Sequence, residues 1–348
     1  MRVLLTGGAG FIGTHIAHAL RAAGDDVVVF DRDPVSSDGA AILGDVTDLD
    51  AMTAALRGVD AVCHQAAKVG LGVDFDDAVG YVTDNDLGTA VLLTAMHAAR
   101  FRGPLVLASS MVVYGEGRYR CNEHGIVAAG PRRPSDLDAG RYEPPCPECA
   151  VALTPESVPE TAPTDPRNVY ATTKLAQEHL AFAFAREHPE VCVTALRYHN
   201  VFGPGMPRDT PYAGVSAIFA DSLAAGRAPR VFEDGGQLRD FVHVRDIAEA
   251  NRLALQAGVS GAFNVASGQP RRLLEMADAL ADAFGPAAPR PEVVGGWRAG
   301  DVRHVFASPD RASRELGFRA QIDFFDGMTE LARVLHPSLS LLPRALGI

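Results

Sequence analysis

Val3-Leu4-Leu5-Thr6-Gly7-Gly8-Ala9-Gly10-Phe11-Ile12-Gly13 opens the chain with a short apolar run followed by a turn dense in glycine. The run reads as a buried strand, and the periodic stretch from Phe11 to about Ala23 reads as a helix closed by Gly24. A second apolar run, Val27-Val28-Val29-Phe30, ends on Asp31. Glycines at 7, 10 and 13 permit a tight turn and let the backbone approach a pyrophosphate, which would sit at the positive end of the helix. Strand, glycine turn, helix, strand and terminal acid together predict a dinucleotide site, with Gly7, Gly10, Phe11, Ile12 and Gly13 as its loop. Asp31 would accept from the ribose hydroxyls and repel a 2′-phosphate, which favours NAD over NADP. Arg32 is the opposing signal. Asp45-Val46, after a third strand, suits the adenine edge or, alternatively, a helix cap.

Working outward, strand runs recur at 61–64, 105–108, 193–196 and 262–265, with helical patterns around 48–57, 84–100 and 167–187. Such alternation predicts an α/β fold, a Rossmann-like doubly wound parallel sheet. The expected dinucleotide domain is 1–199 plus about 241–267. Residues 200–240 plus 268–348 would form a smaller, discontinuous α+β substrate lobe. The apolar, proline-containing last dozen residues are expected to pack on the body or at an interface.

The 348 residues carry 32 Lys+Arg against 43 Asp+Glu, a net charge of −11, which argues against a general nucleic-acid binder. No apolar run approaches the ~18 residues of a membrane helix, and the first residues do not read as a secretory signal. A cytoplasmic protein is expected. Only two of the basic residues are lysines, Lys68 and Lys174.

Lys174 closes Tyr170-Ala171-Thr172-Thr173-Lys174, which sets a phenol and an ammonium on one helical face. Asp165-Pro166 looks like the start of that helix, cap then first-turn proline. In isolation the pair would read as surface residues; behind a dinucleotide turn it reads as catalytic. A phenol of pKa ~10 must drop about three units to act as a base near neutrality, roughly 4 kcal/mol. One cation at ~4 Å supplies about that much at an effective dielectric of ~20, so Lys174 and the positive nicotinamide ring together are expected to hold Tyr170 as a phenolate.

With these residues in place the chain resembles the extended short-chain dehydrogenase/reductases of the NAD-dependent epimerase/dehydratase family, over residues 1 to about 325. The matching pieces are 6–13, His64-Gln65-Ala66-Ala67, Asn85 with Gly88-Thr89, and Ala108-Ser109-Ser110-Met111-Val112-Val113-Tyr114-Gly115. They continue with 170–174, Arg197-Tyr198-His199-Asn200-Val201-Phe202-Gly203-Pro204, 239–244 and Arg298-Ala299-Gly300-Asp301. The resemblance implies a tightly bound NAD along Ala66, Ala67 and Lys68, with Asn85 and Tyr198 nearby. It gives Tyr170, Lys174 and Ser110 catalytic roles, Lys174 also meeting the nicotinamide ribose. Ser110, Met111 and Asn200 would meet a nucleotide-diphosphate sugar, Arg239 and Arg298 its pyrophosphate, and Asp301 its nucleoside ribose. Arg208 would lie beside the sugar or on the surface. A homodimer is the family expectation.

Met111 and Val112 stand where sugar-nucleotide dehydratases carry an Asp-Glu pair, and neither side chain moves a proton. What remains suffices for C4 epimerisation through a 4-keto sugar. The resemblance, which extends to 67–72 and 232–235, implies a dTDP-6-deoxyhexose such as dTDP-L-rhamnose as substrate, with UDP-hexose or UDP-hexuronate as the alternative. The rival classes are a dehydratase or 4-ketoreductase of the same family and a non-catalytic NAD-binding regulator.

Between Tyr114 and Tyr170 the chain is longer than the family needs, so 115–165 reads as an insertion. It holds Cys121-x-x-His124 and Cys146-x-x-Cys149. Two such knuckles suit a structural zinc; free thiols in an empty ribbon are the alternative. The segment is expected to have no core of its own. Cys63 and Cys192 are expected to be core residues.

Overall fold

A computed structural model of the chain describes residues 1–35, 39–70, 75–208, 214–298 and 300–336. The last dozen residues, Leu71-Gly72 and Ala299 lie outside them.

The first half runs β1 (Arg2–Thr6), α1 (Phe11–Ala22), β2 (Asp26–Asp31), β3 (Ala41–Leu43), α2 (Leu49–Ala55) and β4 (Ala61–His64). It continues with α3 (Ala78–Tyr81), a π-helical turn over Val82–Leu87, α4 (Gly88–Ala98) and β5 (Leu105–Ser110). The inserted segment contains β6 (Arg118–Cys121), β7 (Gly125–Val127), α5 (Pro134–Asp138) and β8 (Thr154–Glu156). Next come α6 (Val169–Glu187), β9 (Val193–Tyr198), β10 (Asn200–Phe202), α7 (Val215–Ala224), β11 (Arg230–Val231), β12 (Leu238–Arg239) and β13 (Phe241–His243). The chain closes with α8 (Val244–Ala257), β14 (Gly261–Val265), β15 (Arg271–Arg272), α9 (Leu273–Phe284), β16 (Glu292–Val293), α10 (Asp310–Glu315) and α11 (Phe324–Leu335).

Seven strands form one parallel sheet in the order β14-β9-β5-β4-β1-β2-β3. Alternate residues of a strand face opposite sides. Val3, Leu5, Val29, Cys63 and Val106 pack with Ile16 and Leu20 of α1 and Ile247 of α8. Leu4, Val28, Phe30, Val62 and Leu107 pack with Met52 of α2, Leu92 and Met96 of α4 and Ala181 of α6. The strand order reverses between β1 and β4, and the crevice at their carboxyl ends is where an open α/β sheet takes its ligand.

The second core lies in the lobe, around Phe202, Phe219, Phe241, Met276, Leu280, Phe324, Met328 and Leu331. Here β13 pairs with β10 rather than with the main sheet. The segment after 268 divides, since Ala312, Leu316 and Phe318 return to the α1/α8 side of the sheet.

Three local expectations are corrected. The cap of α6 is Asn168, whose side chain accepts from the Ala171 amide at 2.8 Å. Asp165 instead pairs with Arg167 at 2.6 Å while its amide donates to the Val113 carbonyl. The insertion also has its own small core: β7-β6-β8 form an antiparallel sheet over Tyr119, Cys121, Ala129, Cys146 and Leu153. Its two ends meet, for the Asp165–Val113 hydrogen bond measures 2.9 Å and a Cβ on Gly115 would lie 2.2 Å from the Asp165 carbonyl oxygen. Cys63 is fully buried, as expected, whereas Cys192 is only half-buried.

His64 ends β4 as a buried side chain between the Thr6 hydroxyl at 2.7 Å and the Thr89 hydroxyl at 3.2 Å. Burial first, then the charge of Lys174, pushes its pKa down to about 3. The unfolded chain therefore binds a proton near pH 6.5 that the folded chain refuses, so stability falls as pH drops below that value. His64→Asn should flatten the stability–pH curve between pH 6.5 and 4 by about 1.4 kcal/mol per pH unit relative to wild type. Urea unfolding of both proteins across that range measures it, and parallel curves would refute it.

Candidate active site

The glycine turn closes onto the crevice. Gly7 has φ +70°, and a Cβ there would lie 2.5 Å from the Ala66 backbone nitrogen. A Cβ on Gly13 would sit 2.1 Å from the Gly7 carbonyl oxygen. Gly10 caps α1 in extended geometry with no side chain on the first-turn amides, so Phe11 and Ile12 begin a helix whose positive end faces the turn. These are the features a pyrophosphate requires. Gly13→Ala should cost the protein its dinucleotide while leaving the sheet folded, read as a loss of NAD from purified protein at unchanged far-UV circular dichroism. Full retention would count against this loop as the site.

Asp31 stands at the end of β2, its carboxylate accepting from the amides of Ala9 at 2.8 Å and Asp33 at 3.1 Å. Arg32 turns to Asp84 at 3.0 Å. Asp45 accepts from the Thr47 amide and hydroxyl, which holds its carboxyl below the usual range, and α2 takes its cap from Asp48. Val46 is buried.

Asn85 sits inside the π-helical turn and is fully buried. Its side chain accepts from the Lys68 amide at 2.7 Å and donates to the Lys68 carbonyl at 3.0 Å and the Thr173 hydroxyl at 2.9 Å. The segment Ala66-Ala67-Lys68 is thereby fastened to α6. The Lys68 ammonium reaches Asp77 at 2.7 Å and lies 5.0 Å from the Tyr81 ring centre.

At the end of β5, Ser110 meets Tyr170 from α6. Burial drives the Tyr170 phenol up to about 12, against which the hydrogen bond with Ser110 pulls down and the neighbouring Tyr81 pushes up. Lys174, also buried, donates to the Ala108 carbonyl at 3.1 Å, and burial lowers it to about 8 while Asp86 and Glu178 oppose that fall. The protein alone thus holds Tyr170 as a phenol, and its ionisation calls for the positive ring of a bound nicotinamide as well as Lys174. Met111 and Val112 follow Ser110 in a short turn.

Sequence reading missed the support beneath this pair. Glu178, one turn past Lys174, is buried and accepts both guanidinium arms of Arg197, at 2.9 and 2.7 Å, and the Ser109 hydroxyl at 2.5 Å. Arg197 also donates to the Tyr114 hydroxyl at 2.8 Å. Tyr170, Lys174 and Glu178 share one stripe of α6, which was the available signal.

On the lobe side, Asn200 carries a buried side-chain oxygen without a hydrogen-bond partner. The half-buried Arg239 guanidinium is fixed by the carbonyls of Leu238, Val302 and Arg303 at 2.7–2.9 Å. Arg298 is exposed and lies 4.7 Å from the Phe232 ring centre. Burial raises the Asp301 carboxyl, opposed by Arg239, Arg298 and Arg132. Two expected residues have other partners: Arg208 pairs with Asp221 on the lobe, and the Tyr198 hydroxyl lies in a buried network with Gln65 and Asn251, each at 3.0 Å. Within the insertion, the ligand atoms of Cys121, His124, Cys146 and Cys149 come within 4.8 Å of one another. Among the described residues, no helix is long and apolar enough to cross a membrane.

A glycine-turn dinucleotide crevice opening onto a half-buried serine and tyrosine and a buried lysine defines a dinucleotide-dependent oxidoreductive enzyme of the short-chain type. The model of the NAD dependent epimerase/dehydratase family matches residues 3–135 and 146–266, and the chain belongs to that family. It is 33% identical over 95% of its length to a dTDP-L-rhamnose 4-epimerase of Burkholderia thailandensis, 93% of which is covered. It is 28% identical over 91% of its length to a UDP-glucose 4-epimerase of Corynebacterium glutamicum, 90% of which is covered. Among solved structures it resembles MoeE5 in complex with UDP-glucose and NAD, with TM-score 0.79 and 29% identity over 97% of this chain and 100% of that one. The UDP-glucose 4-epimerase of Thermus thermophilus in complex with NAD is similar too, with TM-score 0.76 and 30% identity over 96% of this chain and 99% of that one. The family and these neighbours support NAD as the cofactor of this chain.

Proposed function

We propose that the protein inverts the C4 configuration of a nucleotide-diphosphate sugar, a dTDP-6-deoxyhexose such as dTDP-L-rhamnose being the favoured substrate. The observation that carries this reading is a Ser110–Tyr170–Lys174 site with no further proton carrier at Met111 or Val112. The dTDP preference rests on the likeness to the Burkholderia relative.

NAD, when bound, supplies the acceptor and donor of the C4 hydride. The chain's residues handle the proton and the sugar. Ser110 accepts a hydrogen bond from the C4 hydroxyl and relays its proton to Tyr170, which takes it as the phenolate that Lys174 and the positive ring of bound NAD would favour. Lys174 keeps positive charge below the phenol, and Asn200 offers its unpartnered oxygen to the sugar. Arg239 and Arg298 hold the pyrophosphate while the 4-keto sugar turns its other face, and Asp301 meets the nucleoside ribose. Tyr170 then returns the proton. No net redox change occurs, which is why NAD is expected to stay bound through purification. Met111 and Val112 argue against dehydration, and the engagement of Arg208 by Asp221 argues against a hexuronate carboxylate beside it.

The proposed setting is a cytoplasmic homodimer. Val82, Leu87 and Leu180, apolar and exposed on adjoining helical segments, support pairing through those helices. A panel of dTDP- and UDP-sugars in heavy water, followed by NMR, tests the reaction. The expected result is C4 inversion without deuterium at C3 or C5. Deuterium incorporation there, or a steady accumulation or consumption of NADH, would overturn it.

A further inference from the structure

The insertion carries chemistry that epimerisation does not use. Cys121 ends β6 and His124 follows the turn into β7, while Cys146 and Cys149 bracket a second tight turn. Cys121 Sγ lies 3.5 Å from His124 Nδ1 and 3.6 Å from Cys149 Sγ, and Cys146 Sγ lies 3.6 Å from the same His124 nitrogen. For a tetrahedral ion with Zn–S of about 2.3 Å and Zn–N of about 2.0 Å, neighbouring ligand atoms must stand roughly 3.5–3.8 Å apart. The side chains are thus spaced as ligands around a common centre, and no pair is bonded as a disulfide. Backbone amides converge on the thiols as well: those of Glu123 and His124 on Cys121, and that of Val151 on Cys149. Glu148 Oε2 lies 3.8 Å from His124 Nε2, the nitrogen left over, where a carboxylate orients a metal-bound imidazole.

The far side of this ribbon grips the lobe. Arg132, almost fully buried, donates to Glu233 at 2.8 Å and to the Asp301 carbonyl at 2.6 Å. Glu143 accepts from Arg303 at 2.7 Å and contacts His304 Nε2 at 2.8 Å. Glu116 accepts from the Arg303 amide at 2.6 Å, and the Tyr119 hydroxyl accepts from the His304 amide at 3.1 Å. The stretch 301–304 held in this way supplies the Val302 and Arg303 carbonyls that fix the Arg239 guanidinium.

We propose that Cys121, His124, Cys146 and Cys149 hold one zinc ion, and that the zinc-bound ribbon positions residues 301–304 and through them Arg239 for the nucleotide end of the substrate. The first half stands on the ligand geometry alone; the second rests on the pyrophosphate role given to Arg239 above. The ribbon acts through other residues and is a positioning device, not a catalytic one.

The test uses the NAD-loaded full chain, purified under reducing conditions without chelator. Metal analysis should find about one zinc per chain, and cobalt(II) exchanged into the site should show the visible bands of tetrahedral thiolate coordination. Less than about 0.2 equivalents after reconstitution with zinc, or a disulfide among the three cysteines under those conditions, would overturn the site. Calorimetry with dTDP and UDP alone reads the second half without reference to turnover. Zinc release by a mercurial or by Cys146→Ser should weaken nucleotide affinity about tenfold, the scale of an outer-shell effect, with NAD content retained. A zinc-depleted protein with wild-type nucleotide affinity would refute the positioning role and leave the C4-epimerase reading standing. Should Cys146→Ser fail to fold, zinc release from the folded wild type gives the same comparison.

Discussion

Tyr170→Phe is expected to lower kcat by about a thousandfold, within the range for loss of a positioned acid–base group. The substitution removes one oxygen and keeps the ring that lies 5.9 Å from Tyr81, so folding and NAD content should match wild type. The size of the effect follows from where the phenol sits. Burial holds it at about 12 in the protein alone, so at pH 7 it stays a phenol until positive charge is brought to it. Turnover therefore depends on positive charge from bound NAD and from Lys174, one turn along the same face of α6, which burial has brought down to about 8. Lys174 is charged below that pH and neutral above it, so activity should decline on the alkaline side of about 8. Retention of more than a tenth of wild-type kcat by the Phe variant would remove Tyr170 from the proton path.

The second large effect is on stability. Arg197→Met should destabilise the fold by about 3–5 kcal/mol, because it leaves Glu178 as an uncompensated buried carboxylate. Both side chains are at most 6% exposed, and Arg197 reaches Glu178 at 2.7 Å and Tyr114 at 2.8 Å. The double variant Arg197→Met/Glu178→Met should recover most of the loss, since a buried pair replaced as a unit by apolar groups costs little. Urea midpoints of the two variants measure this. A single variant within 1 kcal/mol of wild type would show that the pair is not desolvated as the structure places it.

The parts of the molecule that are legible in the sequence are local. The glycine turn, Asp31 and the Tyr170–Lys174 spacing each lie within a few residues, and short-range geometry fixes them. Asp165-Pro166 misleads for the same reason: by local propensity it is the better cap, but a tertiary hydrogen bond to Val113 occupies its amide and Asn168 takes over. The Glu178–Arg197 pair and the grip of Glu116 on Arg303 join residues 19 and 187 positions apart, and nothing in either neighbourhood announces the partner. The same holds for Arg208, whose charge is answered by Asp221 of α7.

The meeting of Val113 and Gly115 with Asp165 has a consequence for how the protein assembles. A fifty-residue excursion normally raises the entropy lost when the elements on either side of it associate. Here the excursion leaves and re-enters at one point, so β5 and α6 are related as though a short connection joined them. The central sheet can therefore nucleate without the inserted segment, which is free to order afterwards against a lobe already in place. Folding monitored by pulsed hydrogen exchange would show this as protection in β5 and β9 that precedes protection in β6.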